Sequence, residues 1–153
     1  MIAIQKATFT DEVVEELINL SHVWSEECIC FGLVPNTKED LKEPCFIALD
    51  NNHIVGYIFG HFYDNEKKVS CGEDIIAIGE KCFDVDELYV LESYRNKGIG
   101  KKLFLELEKE VKDKVNFITL GTSTKDYRKI LHFYIEEVDM TFHSAFLFKK
   151  TNN

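Results

Sequence analysis

Asp84-Val-Asp-Glu-Leu-Tyr-Val-Leu-Glu-Ser-Tyr-Arg-Asn-Lys-Gly-Ile-Gly100 decides how this chain folds. The first half is apolar and β-prone, and Phe83 to Val90 reads as a strand. The second half is basic and carries two glycines. The residues that follow space Leu103, Phe104, Leu107 and Val111 on one face, so Gly98 to Lys112 reads as an amphipathic helix. A strand therefore runs through a glycine-bearing turn into a helix. N–H groups at a helix start have no partner within the helix and carry partial positive charge. Glycine lets a ligand come close to that backbone. Arg95, Lys97, Lys101 and Lys102 add full charges, so the turn suits a pyrophosphate. Its spacing is neither GxxxxGK[ST] nor GxGxxG.

Around this stretch the pattern alternates between strands and helices. Ile2 to Ala7 reads as a short strand. Thr10 is placed to cap a helix whose apolar positions are Val13, Leu17, Leu20 and Trp24. A further helical piece is expected over Thr37 to Leu41. Cys45 to Leu49 and His53 to Phe62 form a hairpin around Asp50-Asn51-Asn52. Residues 63–82 read as a long loop with one small element. Val115 to Leu120 is a strand, Asp126 to Val138 a helix, and Phe142 to Phe148 a final strand. The order predicts a mixed α/β (α+β) sheet in a single domain spanning 1–153.

The chain has 153 residues and a formal charge of -9. A negative surface repels phosphate backbones, which argues against nucleic acid. No apolar run of about 18 residues suggests a membrane span. The first residues lack the layout of a signal peptide, so a cytoplasmic location is expected. Five cysteines make a poor disulfide framework, and Cys28, Cys30 and His22 match no standard zinc spacing, so no metal is expected. Residues 11–43 hold nine acidic side chains against two basic ones, while 95–102 hold four basic ones and no acidic one. That asymmetry suggests one anionic ligand group and one cationic partner.

Arg95-Asn-Lys-Gly98-Ile-Gly100 resembles the R/Q-x-x-G-x-G/A acetyl-CoA signature of the GNAT superfamily of N-acetyltransferases. Ile130-Leu-His-Phe133-Tyr134, followed by Met140 and Phe142, resembles the family's A-x-x-F-Y-x-x-x-G-F segment. Asp139 stands where the family usually has glycine, Tyr127 where many members have asparagine, and Ile130 where alanine is common. The resemblance covers essentially the whole chain. It implies a mostly antiparallel central sheet with flanking helices and two splayed parallel strands, here those ending near Val90 and Leu120.

The resemblance also implies direct acetyl transfer from acetyl-CoA to a primary amine. Leu88, Tyr89 and Val90 would line the pantetheine, and Asn96, Lys97, Gly98, Ile99, Gly100 and Lys101, with Arg95, would hold the pyrophosphate. The amine must lose a proton before it attacks. Asp86 resembles the base position of some aminoglycoside 6'-N-acetyltransferases, with Asp84 as the second candidate. Strand alternation sets Asp84 and Asp86 on one face and Glu87 on the other. Tyr134 matches the tyrosine that many members place near the CoA sulfur, as an acid for the leaving thiolate. Trp24, Glu26 and Glu27 fall where the family covers its acceptor pocket. The histidines at 22, 53, 61, 132 and 143 each have a general-base reading, but none shows a spacing to the cofactor motif, so packing or surface roles are expected. The acceptor suggested is a small cationic amine: an aminoglycoside, a polyamine or a metabolite. A protein or peptide acetyltransferase and a non-catalytic acyl-CoA sensor are the alternatives. A homodimer is suggested by the habit of many relatives.

Overall fold

The structure, a computed structural model, describes residues 1–71 and 73–151. Strand β1 (Ala3–Lys6) leads into helix α1 (Asp11–Glu26). Thr10 caps that helix, its Oγ1 accepting from the Val13 N–H at 3.3 Å. A single 3-10 turn, Lys38–Asp40, stands where the sequence suggests a helical piece. Strands β2 (Cys45–Asp50) and β3 (His53–Asp64) form the expected hairpin. Asn51 and Asn52 take φ of 49° and 67°, as its two-residue loop requires.

Residues 63–82 are not one long loop. Strand β3 runs on to Asp64, then β4 (Val69–Cys71) and β5 (Glu73–Ile76) make a separate small hairpin, and β6 (Lys81–Val90) starts at Lys81 rather than Phe83. The paired ends of β3 and β6 stand in solvent and carry polar residues, such as the Lys81–Asp64 ion pair at 2.6 Å. Polar composition therefore conceals the extension.

Helix α2 (Ile99–Val111), strand β7 (Phe117–Thr119) and helix α3 (Tyr127–His132) follow. Helix α3 passes directly into a π turn, Phe133–Glu137. The five-stranded sheet has the order β1-β2-β3-β6-β7 and is antiparallel except for β6–β7. Helix α1 packs Leu17 and Leu20 on one face against Ile47, Tyr57 and Phe59. Helix α2 packs Leu103, Phe104 and Leu107 on the other against Phe46, Ile58, Phe83 and Val85. This is the mixed α/β architecture expected from the sequence.

The expected final strand, Phe142 to Phe148, is not formed. Phe142, Phe146, Leu147 and Phe148 are exposed. Apolar composition reports a segment that gains by burial, but a strand also needs an edge to pair with. Among the described residues β7 pairs on its β6 side alone.

Candidate active site

Strands β6 and β7 pair through Cys82–Phe117, Phe83–Ile118 and Asp84–Thr119. Beyond Asp84, β6 continues to Val90 with no strand on that side among the described residues. The parallel strands part there, with Asp84 and Thr119 at the vertex.

Strand β6 is bulged at the same place. Its register against β3 slips between Phe59 and Gly60: Val85 lies opposite Gly60, Glu87 opposite Phe59, and Asp86 is the extra residue. Phe83 and Val85 face the α2 core, and after the bulge Leu88 and Val90 do so. Tyr89 belongs to the α1 core, and Glu87 reaches the buried Tyr57 of that core. The alternation that would separate Glu87 from Asp84 and Asp86 is broken by one residue, and all three carboxylates serve the α1 face. Gly60 makes the bulge fit. A Cβ there would run into the Asp84 carbonyl oxygen and lie 2.7 Å from the Phe83 ring.

A polar cluster fills this face. His61 Nδ1 lies 2.9 Å from Asp86 Oδ1, and Lys42 Nζ lies 3.3 Å from Asp86 Oδ2. Thr119 Oγ1 donates to Asp84 Oδ1 at 2.6 Å, and Tyr63 Oη is 2.9 Å from Thr119 Oγ1. Burial pushes the Asp84 carboxyl above its ordinary range; the Thr119 hydrogen bond opposes this and the Asp86 charge adds to it. Burial likewise raises Glu87, against the hydrogen bonds donated by Tyr57 at 2.7 Å and Asn36 Nδ2 at 2.8 Å. The Asn36 N–H in turn donates to Ser21 Oγ on α1 at 2.8 Å, which pins the loop after α1 to the site.

At the other end of β6 the turn is open. Gly98 takes φ of 74°, and a Cβ added there would meet nothing within 4 Å. Asn96 is also left-handed, at φ 60°. Lys102 bonds back to the Gly98 carbonyl at 3.1 Å, so the N–H groups of Ile99, Gly100 and Lys101 fall in the first turn, where no intrahelical acceptor exists. Lys101 is exposed, and Lys97 Nζ donates to the Ser93 carbonyl at 2.8 Å. Room, free donors and charge fit a pyrophosphate.

Two expectations change at this end. Arg95 Nε donates to the Val90 carbonyl at 2.8 Å, and its Nη2 pairs with Glu27 at 2.6 Å. Tyr89 Oη also donates to Glu27 at 2.6 Å, and Trp24 stacks on Tyr89 with centroids 5.0 Å apart. The Arg95 guanidinium thus holds Glu27 instead of pointing at the turn, and the Glu27 carboxylate is already met by two donors. A charge-assisted hydrogen bond is shorter and stronger than one between neutral groups. Glu26 stays exposed.

Tyr134 sits in the π turn, against Phe104 and Phe133. Burial pushes its phenol up to about 12, and the Cys30 thiol adds to the rise. Thiols ordinarily titrate near ~8.5. Full proton transfer from such a phenol to a thiolate runs uphill. The phenol is suited to donating a hydrogen bond to a thiolate.

Residues 11–138 match the family described as the Acetyltransferase (GNAT) family. The chain belongs to the GNAT acetyltransferase family. As a GNAT enzyme it is an acetyl-CoA-dependent N-acetyltransferase. No curated protein matches it in sequence. Among solved structures it is similar to an aminoglycoside acetyltransferase, meta-AAC0020 from an uncultured soil metagenomic sample, with 19% identity, a TM-score of 0.70 and coverage of 99% of this chain and 97% of that one. It is similar to the aminoglycoside N-acetyltransferase AAC(6')-Iy in complex with CoA, with 13% identity, a TM-score of 0.64 and coverage of 99% and 100%. It is also similar to a ribosomal-protein-alanine N-acetyltransferase from Brucella melitensis biovar Abortus 2308, with 16% identity, a TM-score of 0.61 and coverage of 97% and 99%. These likenesses are of fold. No helix among the described residues is long and apolar enough to cross a membrane.

Sequence reasoning sets His61 aside as a packing or surface residue and does not single out Lys42, Tyr63 or Thr119. His61 is the cross-strand partner of Asp84, more than 20 residues away in the chain. The hairpin turn fixes β2 against β3 but says nothing of β3 against β6, so no local signal marks it.

Proposed function

We propose that this enzyme acetylates a primary amine of a small, cationic acceptor, an aminoglycoside-like molecule or a polyamine. The observation that carries this reading is the bulge in β6, which turns Asp84, Asp86 and Glu87 to one face beside the parting of β6 and β7. Carboxylates gathered there attract an ammonium group. The two aminoglycoside acetyltransferases of similar fold add support.

Bound acetyl-CoA supplies the acetyl group as an activated thioester. The first-turn N–H groups of Ile99, Gly100 and Lys101, with the Lys101 charge, hold its pyrophosphate. The β6 edge from Leu88 to Val90 lies beside the pantetheine path. Asp84 and Asp86 form the acidic side of the site, toward which the acceptor ammonium is drawn. Tyr134 donates a hydrogen bond to sulfur as charge collects on it. The same reading includes a homodimer, supported by the exposed apolar residues of the tail and by the outer edge of β7, which pairs with no strand among the described residues. Peptide acetylation is the second reading, supported by the fold shared with an alanine N-acetyltransferase.

The test is thiol release from acetyl-CoA with sisomicin, neamine, spermidine and an alanine-terminal peptide. Turnover is expected on the first three. Turnover on the peptide alone would replace this reading with peptide acetylation. Tyr134→Phe should lower kcat about tenfold with acetyl-CoA affinity unchanged; an unaltered kcat would return Tyr134 to packing.

A further inference from the structure

We propose that His61 is the group that takes the proton from the acceptor ammonium, and that Asp86 positions it. This rests on the acetyl-transfer reading and names the base within that site.

A carboxylate oxygen only accepts hydrogen bonds. His61 Nδ1 lies 2.9 and 3.0 Å from the two oxygens of Asp86, so Nδ1 carries the hydrogen. In the neutral ring the lone pair is then on Nε2. Asp86 fixes both the tautomer and the ring plane, the arrangement by which a carboxylate prepares a histidine to act as a base. The Asp86 carboxylate itself is less available, because Lys42 Nζ and His61 Nδ1 already occupy it. The His61 side chain remains 42% exposed, so Nε2 can exchange protons with water.

The ring also lies where the chemistry has to happen. His61 pairs across the sheet with Asp84, the last β6 residue joined to β7. Donor atoms of His61, Asp84 and Asp86 lie within 4.8 Å of one another. One Asp84 oxygen is already engaged, since Oδ1 accepts from Thr119 Oγ1 at 2.6 Å. The neighbouring charged and titratable groups are Lys42, Tyr63, Asp84 and Asp86, from the segment before β2 and from β3 and β6.

The step balances as follows. Nε2 takes one proton from the ammonium nitrogen and later yields it to water. The freed lone pair forms the C–N bond to the acetyl carbonyl carbon. The C–S bond breaks and its electron pair leaves on sulfur. The nitrogen loses its second proton as the amide forms, and sulfur takes up one proton to become the thiol.

The test uses the full chain and whichever acceptor of the panel it turns over fastest. His61→Ala should lower kcat by roughly a hundredfold or more, in the range of a lost general base. Added imidazole should restore part of that rate, which it cannot do for a residue that only packs. Asp86→Asn should cost less, about tenfold, with no response to imidazole. Acetyl-CoA affinity by calorimetry and melting temperature should match wild type in both variants, which confirms that they fold. Wild-type kcat in His61→Ala would overturn the proposal. Loss of activity in Asp86→Asn that exceeds the loss in an imidazole-insensitive His61→Ala would also overturn it and make Asp86 the base. Failure of the wild type to turn over any acceptor while it binds acetyl-CoA would instead remove the transfer reading, and this inference with it.

Discussion

The two ends of β6 each depend on a glycine, for opposite physical reasons. At Gly98 the space is empty, and the backbone conformation demands the residue: φ is 74°, and nothing lies within 4 Å of where a Cβ would stand. At Gly60 the backbone is extended, and the space demands it, because the Asp84 carbonyl and the Phe83 ring already fill the position. The first glycine belongs to a local turn, where we propose the cofactor binds. The second belongs to a contact between β3 and β6, beside the proposed acceptor site. Ligand room in this enzyme is left open at one end, while at the other it is made by a distortion that neighbouring strands hold in place.

Gly60→Ala should produce the largest effect. The added methyl forces β3 away from β6, costs about 3 kcal/mol as overpacking in a buried sheet does, and shifts the bulge that gathers the carboxylates. Urea unfolding and turnover should fall together; unchanged stability would show that the bulge tolerates a side chain. Gly98→Glu comes next. Left-handed strain adds about 1–2 kcal/mol, and a negative side chain opposes the phosphates, so acetyl-CoA affinity should drop at least tenfold while the fold persists. An unaltered calorimetric affinity would remove the turn from the cofactor site. If both variants lost cofactor binding equally, the division between the two ends would itself collapse.

Glu87→Gln should have the smallest effect and sharpens the acceptor end alone. Burial raises Glu87, so the native state holds its proton more tightly than the unfolded chain does. Its contribution to stability is therefore full in acid and is lost as pH rises through the raised value. The glutamine variant, which can still accept from Tyr57 and Asn36, should gain stability relative to wild type between pH 4 and pH 8. Melting temperatures across that range check it, and an offset independent of pH would count against a buried charge.

Arg95 follows the last residues of β6 in sequence, and its motif points to phosphate. Its guanidinium instead bonds the Val90 carbonyl and Glu27 at the end of α1. Motif position told where the backbone turns, and that held. It did not tell where a long side chain finds its partner, which depended on α1 ending nearby. Phe142 to Phe148 failed for a related reason, since an apolar pattern reports a need for burial and not the presence of an edge.

Read alone, the chain determined the strand–turn–helix of 84–100, the hairpin around Asn51 and Asn52, the helix stripes and the family. All of these are set by residues within a few positions of one another, through periodicity, capping and backbone freedom. Only the tertiary structure decided that Asp84, Asp86 and Glu87 share a face, that His61 meets Asp86, and that Glu27 is taken by Arg95. The first two depend on the register of β3 against β6, and the third on where α1 ends. A one-residue bulge resets that register across strands more than 20 residues apart in the chain, and no local pattern records it.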